Sequence, residues 1–238
     1  MKLNCDLGEG ADSEAAVMPH IDQVNIACGL HAGNPKLMRE TLRLAKAHGV
    51  SVGAHPGYAD REGFGRQSVY CQPIEIVELV RQQVAVLEKL AKEEGITIDY
   101  LKPHGALYHD MMTKDEVRTA IFSAVDQCPA SLALMIQATP GIESHRAEAS
   151  QAGMELWPEA FADRRYDISG HLLPRHMAGA ILNRSQMLEQ VQQLVTEGSV
   201  TTDTGNKLEV TADTLCVHGD NEEGVQCICD IRKLLSNG

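Results

Sequence analysis

Four short stretches set a histidine beside or near a glycine, each at the end of an apolar run: ACGLHAGNP (27–35), AHPG (54–57), KPHGA (102–106) and VHGD (217–220). Other polar residues collect at the same kind of place. Asn4, Asp6 and Glu9 follow the first apolar run, Asn25 leads to His31, and His55 ends the third run. Lys102 precedes His104, Glu159 closes a later run, and His218 and Asp220 close the last. Carboxylates, imidazoles and an ammonium recurring at run ends are not what core packing selects. An isolated buried charge is costly unless it is paired or used. Any one of these histidines, taken alone, fits a satisfied core residue equally well; the set points to function.

Three kinds of chemistry suit the set. Asp6 with His31 and His55 offers the ligand types of a divalent metal site with open positions, where bound water would be acidified for attack on a carbonyl. Alternatively, Asp6 or Glu9 is a metal-free general base, with Lys102 and His104 stabilising an oxyanion. In the third reading the cluster only positions substrate. The spacings match no diagnostic zinc motif. No P-loop, no dinucleotide-binding glycine fingerprint after a strand and no nucleophile-elbow serine is present.

Two loops add cationic groups. GYADREGFGRQS (57–68) combines three glycines with Phe64, Arg61 and Arg66, the make-up of a mobile lid with a cationic tip. The segment 161–180 carries Arg164, Arg165 and Arg175. Local positive charge in a chain of net charge −12 predicts an anionic ligand, a carboxylate or a phosphate.

The elements that must position these residues alternate. Short Val/Ile/Leu/Ala runs predict strands at about 2–7, 23–29, 50–55, 98–104, 132–137, 154–159 and 213–218. Between them come helix signals. Asn34-Pro35 opens a helix that Gly49 closes, and Val77, Val80, Val84, Leu87 and Ala91 mark one that stops at Gly95. Thr113 to Glu116 reads as a capping box, Thr139-Pro140 as a start, and Ser185 as another. Asp220 or Asn221 caps a last helix running to about Leu235. Such alternation implies a parallel sheet with helices outside. Seven units predict an α/β fold of one domain, 1–238: an irregular (β/α) TIM-like barrel of about seven strands, with an open doubly wound sheet as the alternative. Two stretches interrupt the regularity: 160–184 lacks a clear helix, and 200–210 reads as a hairpin turning at Gly205-Asn206. Period 2 places Asn4 with Asp6, and Lys102 with His104, on common strand faces.

The net charge argues against nucleic-acid and anionic-membrane partners. No apolar run approaches a membrane span, and MKLNCDLGEG lacks the apolar stretch of a signal peptide. Seven cysteines without Cys-x-x-Cys spacing read as reduced thiols of a cytoplasmic protein.

The chain resembles the LamB/YcsF family in seven ordered blocks: LNCDLGE (3–9), NIACGLHAGNP (25–35), GAHPGY (53–58), GFGR (63–66), KPHGALY (102–108), EAFADRRY (159–166) and HGD (218–220). It departs from the family's pattern in a shorter segment after DLGE, in Asn34 where Asp is common, and in Gln67 where a second Arg is common. The resemblance implies a barrel like that of polysaccharide-deacetylase-like enzymes. It implies ATP-dependent opening of 5-oxo-L-proline to L-glutamate, with ATP as co-substrate and subunits B and C as partners. It puts Asp6, Lys102, His104 and Glu9 nearest the chemistry. Asn25, His31, His55, Arg66, Glu159, Arg164 and His218 become substrate contacts, and Asp6, His31 and His55 the metal ligands if a divalent metal binds. Two rivals stand beside this: a stand-alone metal-dependent deacetylase or amidohydrolase, and a non-catalytic protein of the complex that only binds substrate.

Overall fold

In the computed structural model, which describes residues 1–236, seven parallel strands close into a barrel. The first six are β1 (Lys2–Leu7), β2 (Gln23–Ala27), β3 (Ser51–His55), β4 (Tyr100–Leu101), β5 (Ala133–Gln137) and β6 (Leu156–Phe161). An excursion follows, and it holds the expected hairpin, β7 (Ser199–Thr201) against β8 (Lys207–Glu209). The chain then returns as β9 (Thr214–His218), which pairs with both β6 and β1. The closed barrel therefore replaces the open-sheet alternative.

Strand alternation sorts the residues into two layers. Leu3, Cys5 and Leu7, Val24 and Ile26, Val52 and Ala54, Leu134 and Ile136, and Leu215 and Val217 belong to the main buried apolar core with the helices. The opposite set is polar at one end of the barrel. Asp6 registers with Asn25 and with His218, Asn4 with Gln23 and Cys216, and Gln137 with Glu159. Tyr100, Ala133 and Met135, with Trp157 packed on them, form a separate small apolar cluster.

The helices form where the caps dictate. Asn34 accepts hydrogen bonds from the Lys36 and Leu37 amides and starts helix 35–48. Gln72 and Glu75 make a reciprocal capping box for helix 73–94. Asn183 does the same with Gln186 for helix 184–197, two residues before the expected start at Ser185. Other boundaries differ from expectation too. The Thr113 hydroxyl donates to the carbonyl of His109, so it ends helix 105–113 instead of capping helix 115–126. The helix expected from Thr139-Pro140 begins at Ile142, because Thr139 supplies its carbonyl to a turn. The last helix, capped by Asn221, breaks at Cys227 into 222–226 and 228–236. Strand 98–104 shrinks to two residues. Beyond Leu101 only single ladder bonds continue, from the Lys102 amide to the Ala54 carbonyl and from the His104 amide to the Pro56 carbonyl, and His104 is also the N-cap of the next helix. All seven cysteines are free thiols. No helix among the described residues is long and apolar enough to cross a membrane.

Candidate active site

The carboxyl ends of the barrel strands open into a cavity of about 480 Å³. Asp6, His55, Lys102, His104 and His218 line it with Tyr108, Gln137 and Phe161, and Arg66, Arg164 and Arg175 contribute positive charge. A larger surface hollow between helices 184–197 and 228–236 touches no strand end and gathers none of these groups.

Lys102 is the centre of the buried charge. Its ammonium lies 2.8 Å from Asp6 Oδ1 and 2.9 Å from Glu159 Oε1, and donates to Cys216 Sγ at 3.2 Å. Burial alone would pull its pKa down. Asp6, Cys216 and Glu159 outweigh that and hold it well above the ordinary lysine value. Burial likewise pushes Asp6 up, but Lys102, His55 and His218 bring it well below the usual carboxylate range. Glu159 goes the other way: burial raises it, and Lys102 only partly compensates. Glu159 is also held by the Tyr108 hydroxyl at 3.0 Å.

The rest of the network fixes Asp6. Asn25 Nδ2 donates to Asp6 Oδ1 at 2.7 Å and to Asn4 Oδ1 at 2.8 Å, while Tyr100 donates to Asn25 Oδ1 at 2.7 Å. Asn4 in turn donates to Thr214, and Thr214 to Gln23. Asp6 Oδ1 is thus saturated. Its other oxygen, Oδ2, is 3.6 Å from His55 Nε2.

A second cluster lies beside the first. His31 and His104 stack with ring centroids 3.8 Å apart, and His55 stands edge-on to both. His55 Nδ1 bonds the Lys102 carbonyl at 2.7 Å, and His104 Nε2 the Phe64 carbonyl at 2.9 Å. Glu9 Oε1 is 3.3 Å from His104 Nδ1 and 3.6 Å from His31 Nε2. Burial lowers the pKa of His31 to about 3 and of His55 to about 4, aided for His31 by His55. Burial, helped by His55 and His31, also lowers His104. Burial and then Asp6 raise Glu9. The loop expected to be a lid makes room for this cluster. Gly65, at φ +66, passes so close that a Cβ there would meet His31 Cβ at 2.8 Å and His104 Cδ2 at 2.9 Å. Its arginines are engaged: Arg61 donates to the carbonyls of Gly29 and Gly33, and Arg66 pairs with Asp220.

The expected site residues therefore divide by position. Asp6, Lys102, His104, His55, Arg66, Arg164 and His218 line the cavity. Asn25 and Glu159 are buried behind Asp6 and Lys102, and Glu9 and His31 beside His104. His31 and His55 meet Glu9 and His104 in one group of possible metal ligands, while Asp6 groups with Cys216 and His218. The Lys102 ammonium already contacts both Asp6 and Cys216, which makes that second group a poor cation site.

Several residues were not singled out from sequence. Asp163, buried, accepts from His218 Nδ1 at 3.0 Å and from Asn221, and so orients the imidazole. Burial would raise its pKa, but His218 and Asn221 bring it to about 2. Gln190, on helix 184–197, donates to the carbonyls of Phe161, Ala162 and Arg164 and fixes the chain as it leaves β6. Tyr108 lies one helical turn after His104, a spacing that could have marked it.

The chain resembles known proteins along nearly its whole length. The sequence profile of the LamB/YcsF family matches residues 1–238. A protein of Pseudomonas putida, named as the second of that organism's 5-oxoprolinase A subunits, is 44% identical over 98% of this chain and 93% of its own length. A 5-oxoprolinase A subunit of Vibrio parahaemolyticus is 44% identical over 100% of this chain and 96% of its own. The crystal structure of a lactam utilization protein from Thermus thermophilus superposes with a TM-score of 0.87 at 37% identity, covering 100% of this chain and 96% of that one. With the barrel, the strand-end cluster and relatives matched along nearly their full length, the chain belongs to the LamB/YcsF family.

Proposed function

We propose that this chain is the A subunit of an ATP-dependent 5-oxoprolinase, a cytoplasmic assembly with subunits B and C that opens 5-oxo-L-proline to L-glutamate. The observation that carries the reading is the pairing of two features in one cavity. A floor of Asp6 and Lys102 suits attack on an amide, and a rim of Arg66, Arg164 and Arg175 suits a carboxylate-bearing substrate. Relatives named as A subunits of 5-oxoprolinase support it.

Arg164 is the rim group best fitted to the substrate carboxylate. It is buried, and its guanidinium donates to the carbonyls of Ala180 and Leu173, not to a carboxylate. Burial, with Arg175 nearby, lowers its pKa to about 10, still cationic at neutral pH. Arg66 and Arg175 share Asp220.

A lactam is an unreactive amide. ATP, the co-substrate of the complex, supplies a phosphoryl group for its oxygen, which makes the ring carbon a better electrophile. Water then attacks that carbon, the C–N bond breaks as the ring nitrogen takes up a proton, and a second water cleaves the resulting acyl phosphate to glutamate and inorganic phosphate. Asp6 Oδ2 is the carboxylate oxygen left to accept the proton of the attacking water, since Oδ1 is bonded to Lys102 and Asn25. The Lys102 ammonium stabilises the negative charge carried by the phosphorylated oxygen. His218, oriented by Asp163, stands at the same mouth and contacts substrate.

The test is co-expression with the B and C subunits and measurement of phosphate release with and without 5-oxo-L-proline. Phosphate and glutamate formed together, only when all three chains are present, is the expected result. Hydrolysis of an acylated amine by this chain alone, without ATP, would replace the reading with a stand-alone amidohydrolase.

A further inference from the structure

The His31–His55–His104–Glu9 cluster has a proton deficit. His55 must carry its hydrogen on Nδ1, because the Lys102 carbonyl 2.7 Å away can only accept. His104 must carry its hydrogen on Nε2, because the Phe64 carbonyl 2.9 Å away can only accept. Each neutral ring is left with one lone pair, on His55 Nε2 and on His104 Nδ1. Those two atoms face each other at 2.9 Å. Two lone pairs do not attract. Something positive belongs there, a third proton or a cation.

Five further observations favour the cation. His31 is fully buried, and neither of its ring nitrogens has a hydrogen-bond partner. Leaving such groups unsatisfied forfeits the hydrogen bonds they would make to water. Glu9 Oε1 is buried and likewise has no hydrogen-bond partner, which a single shared proton would not change. One ligand atom from each of the four residues lies within 4.8 Å of the others. The separations of 2.9 Å between His55 and His104, 3.3 Å between His104 and Glu9, and 3.6 Å between Glu9 and His31 are close to the edges of a coordination polyhedron, which the His31 ring completes by turning out of its stack on His104. Ligands held about 2.1 Å from one metal stand roughly 3.0–3.4 Å apart. Finally, histidines that bind metal characteristically donate their second N–H to a carbonyl or carboxylate, as His55 and His104 do.

We propose that Glu9, His31, His55 and His104 bind a divalent first-row transition cation at the barrel mouth. Three imidazoles and one carboxylate suit zinc, cobalt or iron over magnesium or calcium, which prefer all-oxygen sites. This moves the cation away from Asp6, which Lys102 already neutralises, and puts it beside the cavity that His55 and His104 line. The site stands on this chain's geometry and does not depend on the substrate assigned above.

The test is calorimetric titration of the chelator-treated full chain with Zn²⁺, and with Co²⁺ read by its visible absorption. It needs neither 5-oxoproline nor ATP, so its failure is distinct from failure of the 5-oxoprolinase reading. The expected result is one ion per chain, with binding weakened at least about 100-fold in His104→Ala and in the near-isosteric Glu9→Gln. Co²⁺ should show the absorption of nitrogen coordination. Circular dichroism establishes that each variant is folded, and Glu9→Gln carries the test if His104→Ala is not. The surface pair Cys229–His20, 3.1 Å apart, is the obvious adventitious site, and Cys229→Ser with His20→Ala should leave the isotherm unchanged. No saturable binding would assign the 2.9 Å contact to a shared proton and overturn the proposal, as would binding lost only in the Cys229→Ser/His20→Ala variant.

Discussion

At the scale of the residue, the molecule turns on buried charges held by named partners. Lys102→Met leaves Asp6 and Glu159 without their cation. Breaking a buried pair from one side costs about 3–5 kcal/mol, so chemical denaturation at neutral pH should show a loss of that order. Asp163 makes the pH prediction. Its folded pKa of about 2 lies below the ordinary 3.8, so its stabilisation is present above about pH 4 and disappears as pH falls through 2. A shift of that size is worth about 2 kcal/mol. Asp163→Asn should be less stable than the parent at pH 7 by about that amount, with the difference closing in acid; equal acid limbs for both chains would contradict it. For Arg164, the carboxylate role predicts that Arg164→Lys raises KM for 5-oxoproline about tenfold or more in the assembled complex, with a smaller change in kcat. A fall in kcat alone would remove Arg164 from substrate binding.

At the scale of the element, strand ends and loops decide which residues meet. The strand-end positions of Asn4, Asp6, Asn25, His55 and His218 were legible because each closes an apolar run, and period 2 then fixes the shared face. Lys102 and His104 were legible as neighbours, but not the way they are placed. The regular strand ends at Leu101, and His104, still bonded through its amide to the Pro56 carbonyl, reaches the site as a helix N-cap. Asp163 and Gln190 were not legible. Their task is to satisfy polar groups brought near by an irregular segment, and no periodicity encodes that. The same holds for the split of the histidines from Asp6, which depends on where the glycine-rich loop of residues 57–68 passes. Gly53 gives an element-scale prediction. It lies beside Tyr100 in register, and a Cβ there would meet the Tyr100 ring at 2.2 Å. Overpacking of this kind costs about 1–3 kcal/mol. Gly53→Ala should therefore lower the melting temperature and, by displacing the Tyr100 hydroxyl from Asn25, also reduce activity. An unchanged melting curve would show that the barrel interior is looser than these contacts imply.

At the scale of the whole molecule, the barrel separates two tasks. Its helix-facing layer is apolar and continuous with the core, while its interior is polar toward the mouth and apolar at the Tyr100, Met135 and Trp157 cluster. The seven-strand closure was readable from strand–helix alternation, and the interruptions at 160–184 and 200–210 from the missing helix and from the turn at Gly205-Asn206. What the alternation does not encode is that the interruption returns Arg164 and Arg175 to the mouth, where they face the strand ends. The central claim is that Asp6 and Lys102 at those ends carry out lactam opening within the complex. The most direct measurement is 5-oxo-L-proline-dependent phosphate release by the complex assembled with Asp6→Asn, a nearly isosteric change that keeps an oxygen toward Lys102. The account predicts assembly as in the parent and a loss of turnover of at least about 100-fold. Normal turnover by that variant would contradict it.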